Sequence, residues 1–145
     1  MRCTVLAFGL SLICLIPALP AAAQESPAEG AAPADAGIRA VIEAQMQAFR
    51  AGDTGAAFTH ASPSIQGMFG GVDGFGRMVS DQYPMIWQPG DVKFLDLRQE
   101  RGVPVQRILQ QDAGGALHLF DYEMTESGGV WRINGVFPVP GETGA

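Results

Sequence analysis

Residues 92–139 read VKFLDLRQE RGVPVQRILQ QDAGGALHLF DYEMTESGGV WRINGVFPV. Apolar and polar residues alternate along this stretch, and three glycine-bearing links interrupt it: Glu100-Arg101-Gly102, Asp112-Ala113-Gly114-Gly115 and Glu126-Ser127-Gly128-Gly129. Links this short join only antiparallel neighbours, because a parallel crossover takes about a dozen residues or more. The spacing therefore predicts a meander of four strands, Val92 to Gln99, Val103 to Gln111, Ala116 to Thr125 and Val130 to Val139. Side chains alternate between faces along a strand. In the third, His118, Phe120, Tyr122 and Met124 share one face and Leu117, Leu119, Asp121 and Glu123 the other. Trp131, Ile133 and Phe137 are expected on one face of the fourth strand. The first face reads as core. The second, mixed face is expected to form a homodimer contact, with Val92 and Phe94 adding to it.

Upstream the period is helical. Ile38, Val41, Ile42, Gln45, Met46 and Phe49 fall on one stripe, with Gly52 as the stop. Asp53 or Thr54 caps a short segment to about Ala61, and Ser62-Pro63 reads as an N-cap with proline at the first helical position. Ile65, Met68 and Phe69 make that segment apolar, and Gly70-Gly71 stops it. Asp73 is the next expected cap, and Phe75, Met78, Val79, Gln82 and Tyr83 continue the stripe until Pro84. The expected fold is α+β: about three N-terminal helices packed on a curved four-stranded antiparallel sheet.

The start of the chain has the three parts of a secretory leader: Arg2, an apolar run from Val5 to Ile16, and Ala21-Ala22-Ala23 as a small-residue cleavage site. The run is shorter than the roughly 18 apolar residues of a spanning helix, so no membrane span is expected. Residues 1–23 are thus read as signal peptide and 24–35 as a disordered Ala/Pro/Glu linker. Residues 36–140 form the single domain, and 141–145 a flexible tail. The expected location is periplasmic or secreted. Cleavage removes Cys3, Cys14 and Arg2, taking the formal charge from −6 to −7 and leaving no cysteine chemistry. Lys93 is the sole lysine of this acidic chain. Nucleic acid is not an expected partner, since phosphate binding needs clustered basic residues.

Several residues together resemble a bacterial secreted family, domain of unknown function 4864. They are Ala61-Ser62-Pro63-Ser64-Ile65, Phe69-Gly70, Phe75 with Met78-Val79 and Tyr83, Gln106, Tyr122 with Met124, and Trp131-Arg132-Ile133-Asn134-Gly135. The resemblance covers nearly the whole mature domain. It implies a cone similar to the nuclear transport factor two and SnoaL-like fold. That superfamily includes isomerases, dehydratases, hydrolases and structural modules, so the fold alone selects no function.

A cone of this kind can hold a pocket between helices and sheet. The side chains expected to line it and bind a ligand are Phe75, Met78, Tyr83, His118, Phe120, Tyr122 and Trp131. Catalytic candidates are His118 and Tyr122 with Tyr83, since a tyrosine beside a histidine can orient a carbonyl or transfer a proton. His60 is a further candidate, with Asp121 or Arg132 behind it. The competing reading makes Tyr122 a core tyrosine with a hydrogen-bonded hydroxyl, leaves His118 partly in water at a hairpin end, and pairs Asp121 with Arg107 or Arg132 on the outer face in an exposed contact of little energy. No H-E-x-x-H, P-loop or G-x-S-x-G pattern is present, so no metal and no cofactor are expected. The reading that follows is a non-catalytic envelope module. It takes a small apolar or amphipathic molecule or engages another protein. A cofactor-independent isomerase or hydro-lyase using the His/Tyr pair is the alternative. Intact-mass measurement of the exported protein is expected to give a chain beginning at Gln24. A mass retaining residues 1–23 overturns the leader assignment.

Overall fold

The computed structural model describes residues 31–140; the expected leader, the linker as far as residue 30 and the tail from residue 141 lie outside the described residues. Five helical segments come first: α1 (Ala31–Arg50), α2 (Thr54–Thr59), α3 (Pro63–Phe69), α4 (Val72–Gln82) and α5 (Pro84–Trp87). Four strands follow, β1 (Val92–Glu100), β2 (Val103–Gln111), β3 (Leu117–Ser127) and β4 (Val130–Pro138). They form one sheet in the order β1-β2-β3-β4, with every neighbouring pair antiparallel. The α+β meander is present, with five helical segments among the described residues where about three were expected. Pro84 ends α4, as its missing N–H requires, and then serves as the first residue of the one-turn α5. Helix α1 begins at Ala31, ahead of the boundary expected at Ala36, over an alanine-rich stretch that favours helix.

Local chemistry accounts for the helix ends. The Asp53 carboxylate accepts the Ala56 N–H at 2.9 Å, and Ser62 Oγ accepts the Ile65 N–H at 3.2 Å with Pro63 next in the chain. Asp73 is not the cap of α4. Gly71 holds that position without a side-chain bond, and Asp73 sits in the first turn, where its charge favours the helix dipole. The buried stripe of α1, Ile38, Ile42, Gln45, Met46 and Phe49, faces Ile108, Phe120, Tyr122, Met124 and Ile133 of the sheet. Each large apolar side chain buried there contributes about 1.5–3 kcal/mol, which makes this seam the main source of stability.

Two β-bulges change the expected faces. Between Phe94 and Leu97 the β1–β2 register shifts, and the Gln106 amide donates to the carbonyls of Leu95 (3.1 Å) and Asp96 (3.3 Å) within the bulge. Before this shift, Val92 and Phe94 pair with Gln110 and Ile108, whose side chains are buried on the inner face. Val92 and Phe94 therefore pack on the core and do not add to the outer face. In β4, Ile133 pairs with Met124 but Gly135 pairs with Glu123, leaving Asn134 as the extra residue. One inserted residue reverses the alternation beyond it. Trp131 and Ile133 remain inward, whereas Val136 takes the inward place opposite Tyr122 and Phe137 turns outward opposite Asp121, 51% exposed.

The outer face centres on Asp121. Its carboxylate accepts from Arg107 Nε and Nη2 at 2.8 and 2.9 Å and from Arg98 Nη1 and Nη2 at 3.2 and 2.6 Å. Arg107 is one of the two expected partners; the expected weak, exposed pair is corrected because the Asp121 side chain is only 17% exposed and Arg98 joins Arg107 on it. Arg132 instead donates to the Thr59 carbonyl at 2.8 Å. The Arg107 hydrogen bonds, opposed by partial burial and reinforced by Arg98, hold Asp121 at about 2, below its ordinary 3.8. A depressed carboxylate stabilises the fold above its unfolded value and loses that contribution as pH falls through the folded one. Asp121→Asn is expected to cost about 1 kcal/mol at pH 7 after allowance for solvent screening. Urea unfolding at stepped pH should show the gap between variant and parent closing from about pH 4 down to about pH 2. A gap unchanged over that range contradicts the assigned ion cluster.

Candidate functional site

The site begins with a turn. Gly70 closes α3 with φ 67°, Gly71 follows at φ 136°, and the chain reverses into α4. Both angles suit glycine, because a Cβ is disfavoured there. Gly74 then passes so close to the end of α3 that a Cβ on it would lie 2.2 Å from the Phe69 carbonyl oxygen. The resulting angle between α3 and α4 leaves a hollow against the second half of β4.

That hollow is a cavity of about 450 Å³. Phe49, Phe75, Val79, Ile86 and Ile133 form its buried floor, and Ile65, Phe69, Met78 and Val136 its sides. Met68, 69% exposed, and Phe137 stand where it opens to solvent. Phe75 is the aromatic hub, with ring centroids 5.3 Å from Phe58, 6.0 Å from Phe69 and 6.1 Å from Phe49. Four side chains bring polar atoms to the lining: Gln45, Gln82, Tyr83 and Asn134. None of the lining residues is Asp, Glu, Lys, Arg or His. A second hollow, of about 550 Å³ between α1 and the start of β1, has a different character, with Glu43, Gln47, Arg50 and Asp91 among its walls.

Of the residues expected to bind a ligand, Phe75, Met78 and Tyr83 line the cavity. Phe120, Tyr122, His118 and Trp131 do not. Phe120 and Tyr122 lie sealed in the core, and Trp131 covers α1 at Gly37, where an added Cβ would meet its ring at 2.7 Å. His118 lies at the other end of β3, its Nε2 2.8 Å from Asp112 Oδ2 and its ring stacked on Phe120 at 6.3 Å. His118 and Tyr122 share a strand face as expected, but Phe120 stands between them and neither lines this cavity. Tyr122 Oη is buried with no hydrogen-bond partner among the described residues, and burial pushes the phenol far above its ordinary value, so it stays protonated. Asp112 is held below the ordinary carboxylate range by His118 and by the N–H groups of Ala116 and Gly114. His60 ends α2, its carbonyl accepting the Ile133 N–H at 2.9 Å; burial and then Arg132 lower its pKa.

Among the lining residues missed by sequence reasoning are Gln45, Ile65, Phe69, Ile133, Asn134 and Val136. The apolar i, i+4 spacing of Ile65 and Phe69 marked their helix as amphipathic, a usable signal. Nothing local marked Val136, whose inward place depends on the bulge.

With this geometry in hand, comparison with known proteins gives one assignment. A family model described as Domain of unknown function (DUF4864) matches residues 31–143. The chain belongs to this family. No curated protein and no solved structure gives a significant match. The DUF4864 match spans every element that builds the cavity.

Among the described residues of this DUF4864 chain, no helix is long and apolar enough to cross a membrane, and no three His, Asp or Glu side chains gather. Gly74→Ala is expected to destabilise the domain by about 2 kcal/mol, because the clash with the Phe69 carbonyl outweighs the helical gain of alanine. Gly67→Ala meets nothing within 4 Å and should instead stabilise α3 by about 0.5–1 kcal/mol. Thermal unfolding of both variants checks the pair; equal effects of one sign contradict the α3–α4 packing.

Proposed function

We propose that this chain is a non-catalytic binding module of the bacterial envelope, periplasmic or secreted, that takes a small apolar or amphipathic molecule into the α3–α4–β4 cavity. The observation that carries this reading is the cavity itself, which has the volume of a small-molecule site and an apolar lining with a few amide and hydroxyl groups. Water gains little there, and an apolar guest exchanges hydrated surface for contact with Phe69, Phe75 and Met78. The N-terminal sequence pattern supports export. The order of helices before an antiparallel meander supports a variant of the nuclear transport factor two-like cone. Catalysis is the weaker reading, because His118 bonds Asp112 and the Tyr122 phenol is enclosed away from the cavity.

The test is binding of a neutral fluorescent probe, N-phenyl-1-naphthylamine, to the purified protein. Saturable emission is expected from the parent, together with a rise in Tm equivalent to about 2.7 kcal/mol at a probe concentration 100 times Kd. Met78→Trp fills the cavity from α4 and should abolish the emission while the circular dichroism stays native. Absence of saturable binding by the parent overturns the proposal, as does unchanged binding by a folded Met78→Trp.

A further inference from the structure

Resting on that reading, we infer that the molecule bound in the cavity is an uncharged amphiphile with a hydrogen-bond donor on its head, such as a hydroxyl, and that Gln45 Oε1 receives it. Gln45 is a buried polar residue on an otherwise apolar helix stripe, 4% exposed and part of the cavity wall. Its Nε2 donates to the Ala57 carbonyl at 3.2 Å. A carbonyl can only accept, so the amide nitrogen must face it, and the orientation of the side chain is fixed. That leaves Oε1 as the free end. Gln45 makes its side-chain hydrogen bond through Nε2, and no bond from another described residue runs to Oε1. A ligand hydroxyl that reaches this oxygen takes the acceptor site that the protein itself leaves open.

Asn134 completes the polar provision. Ser62 Oγ accepts the Ile65 N–H and sends its own proton to Asn134 Oδ1 at 2.8 Å, so the amide oxygen is used and Nδ2 remains as a donor at the cavity lining. One acceptor and one donor, both neutral and both anchored on the Ala57–Ser62 corner, match a group that donates and accepts without charge. The absence of any basic or acidic lining residue sets the other half of the specificity. A carboxylate or ammonium brought into such a site leaves water and meets no counter-charge, a penalty of several kcal/mol.

Three straight-chain competitors of similar length that differ at the head decide the matter: 1-decanol, decyl methyl ether and decanoate at pH 8, each displacing N-phenyl-1-naphthylamine from the purified protein. Decanol is expected to bind about 100-fold more tightly than decanoate and about tenfold more tightly than the ether, which accepts but cannot donate. Gln45→Leu should erase the preference of alcohol over ether. If that variant does not fold, the three-ligand ranking on the parent decides alone. Decanoate equal to decanol, or ether equal to decanol, overturns the neutral-donor assignment although the cavity still binds. Failure of the probe and all three competitors to bind overturns the binding reading beneath it.

Discussion

Ile133 ties the helical layer to the edge of the sheet. Its N–H donates to the His60 carbonyl at 2.9 Å, and its carbonyl accepts the Ser62 N–H at 2.8 Å, a single parallel bridge between β4 and the α2–α3 corner. β4 is an edge strand, and this bridge occupies the backbone groups that an edge otherwise leaves open. Because Ser62 also caps α3, the bridge fixes where α3 starts, and Gly70, Gly71 and Gly74 then fix where α4 lies. The cavity is what remains between these helices and the strand beyond Ile133.

Polar side chains stand at both interruptions of the sheet, and at the first they partner freed backbone groups. A bulge frees backbone groups from the ladder, and buried backbone groups need partners. At the β1 bulge Gln106 reaches the Leu95 and Asp96 carbonyls; at the β4 bulge Asn134, the inserted residue, is held by the Ser62 hydroxyl. The inner bonds therefore hold the strands where the register breaks. On the outer face, Arg98 and Arg107 share the Asp121 carboxylate and link β1, β2 and β3. That face is occupied by internal ion pairs. The inward side retains the apolar surface and the cavity.

The same bulge explains why the site was only half legible. Phe75, Met78 and Tyr83 were found because a helical stripe can be read from spacing without knowing what it packs against. The expected partners on β3, His118, Phe120 and Tyr122, do face inward, yet the strand that lines the cavity is β4, and those side chains lie outside it. Facing the core is a property of strand alternation. Reaching a cavity depends on which elements stand over the sheet. Gln45 was legible as a polar residue on an apolar stripe, but its role depends on the Ala57 carbonyl, twelve residues away in sequence.

By itself the sequence determined the α+β class, the four-strand meander and its turns, the α1 stripe and the Ser62-Pro63 start of α3. All of these rest on interactions between residues close along the chain, or on the alternation forced by backbone geometry. Tertiary structure alone decided the parity of β4 beyond Asn134, the inward place of Val92 and Phe94, the choice of Arg107 over Arg132 at Asp121 with Arg98 added, and the location of the cavity. Each depends on register or on contacts between distant segments, and a single inserted residue reverses every assignment downstream of it.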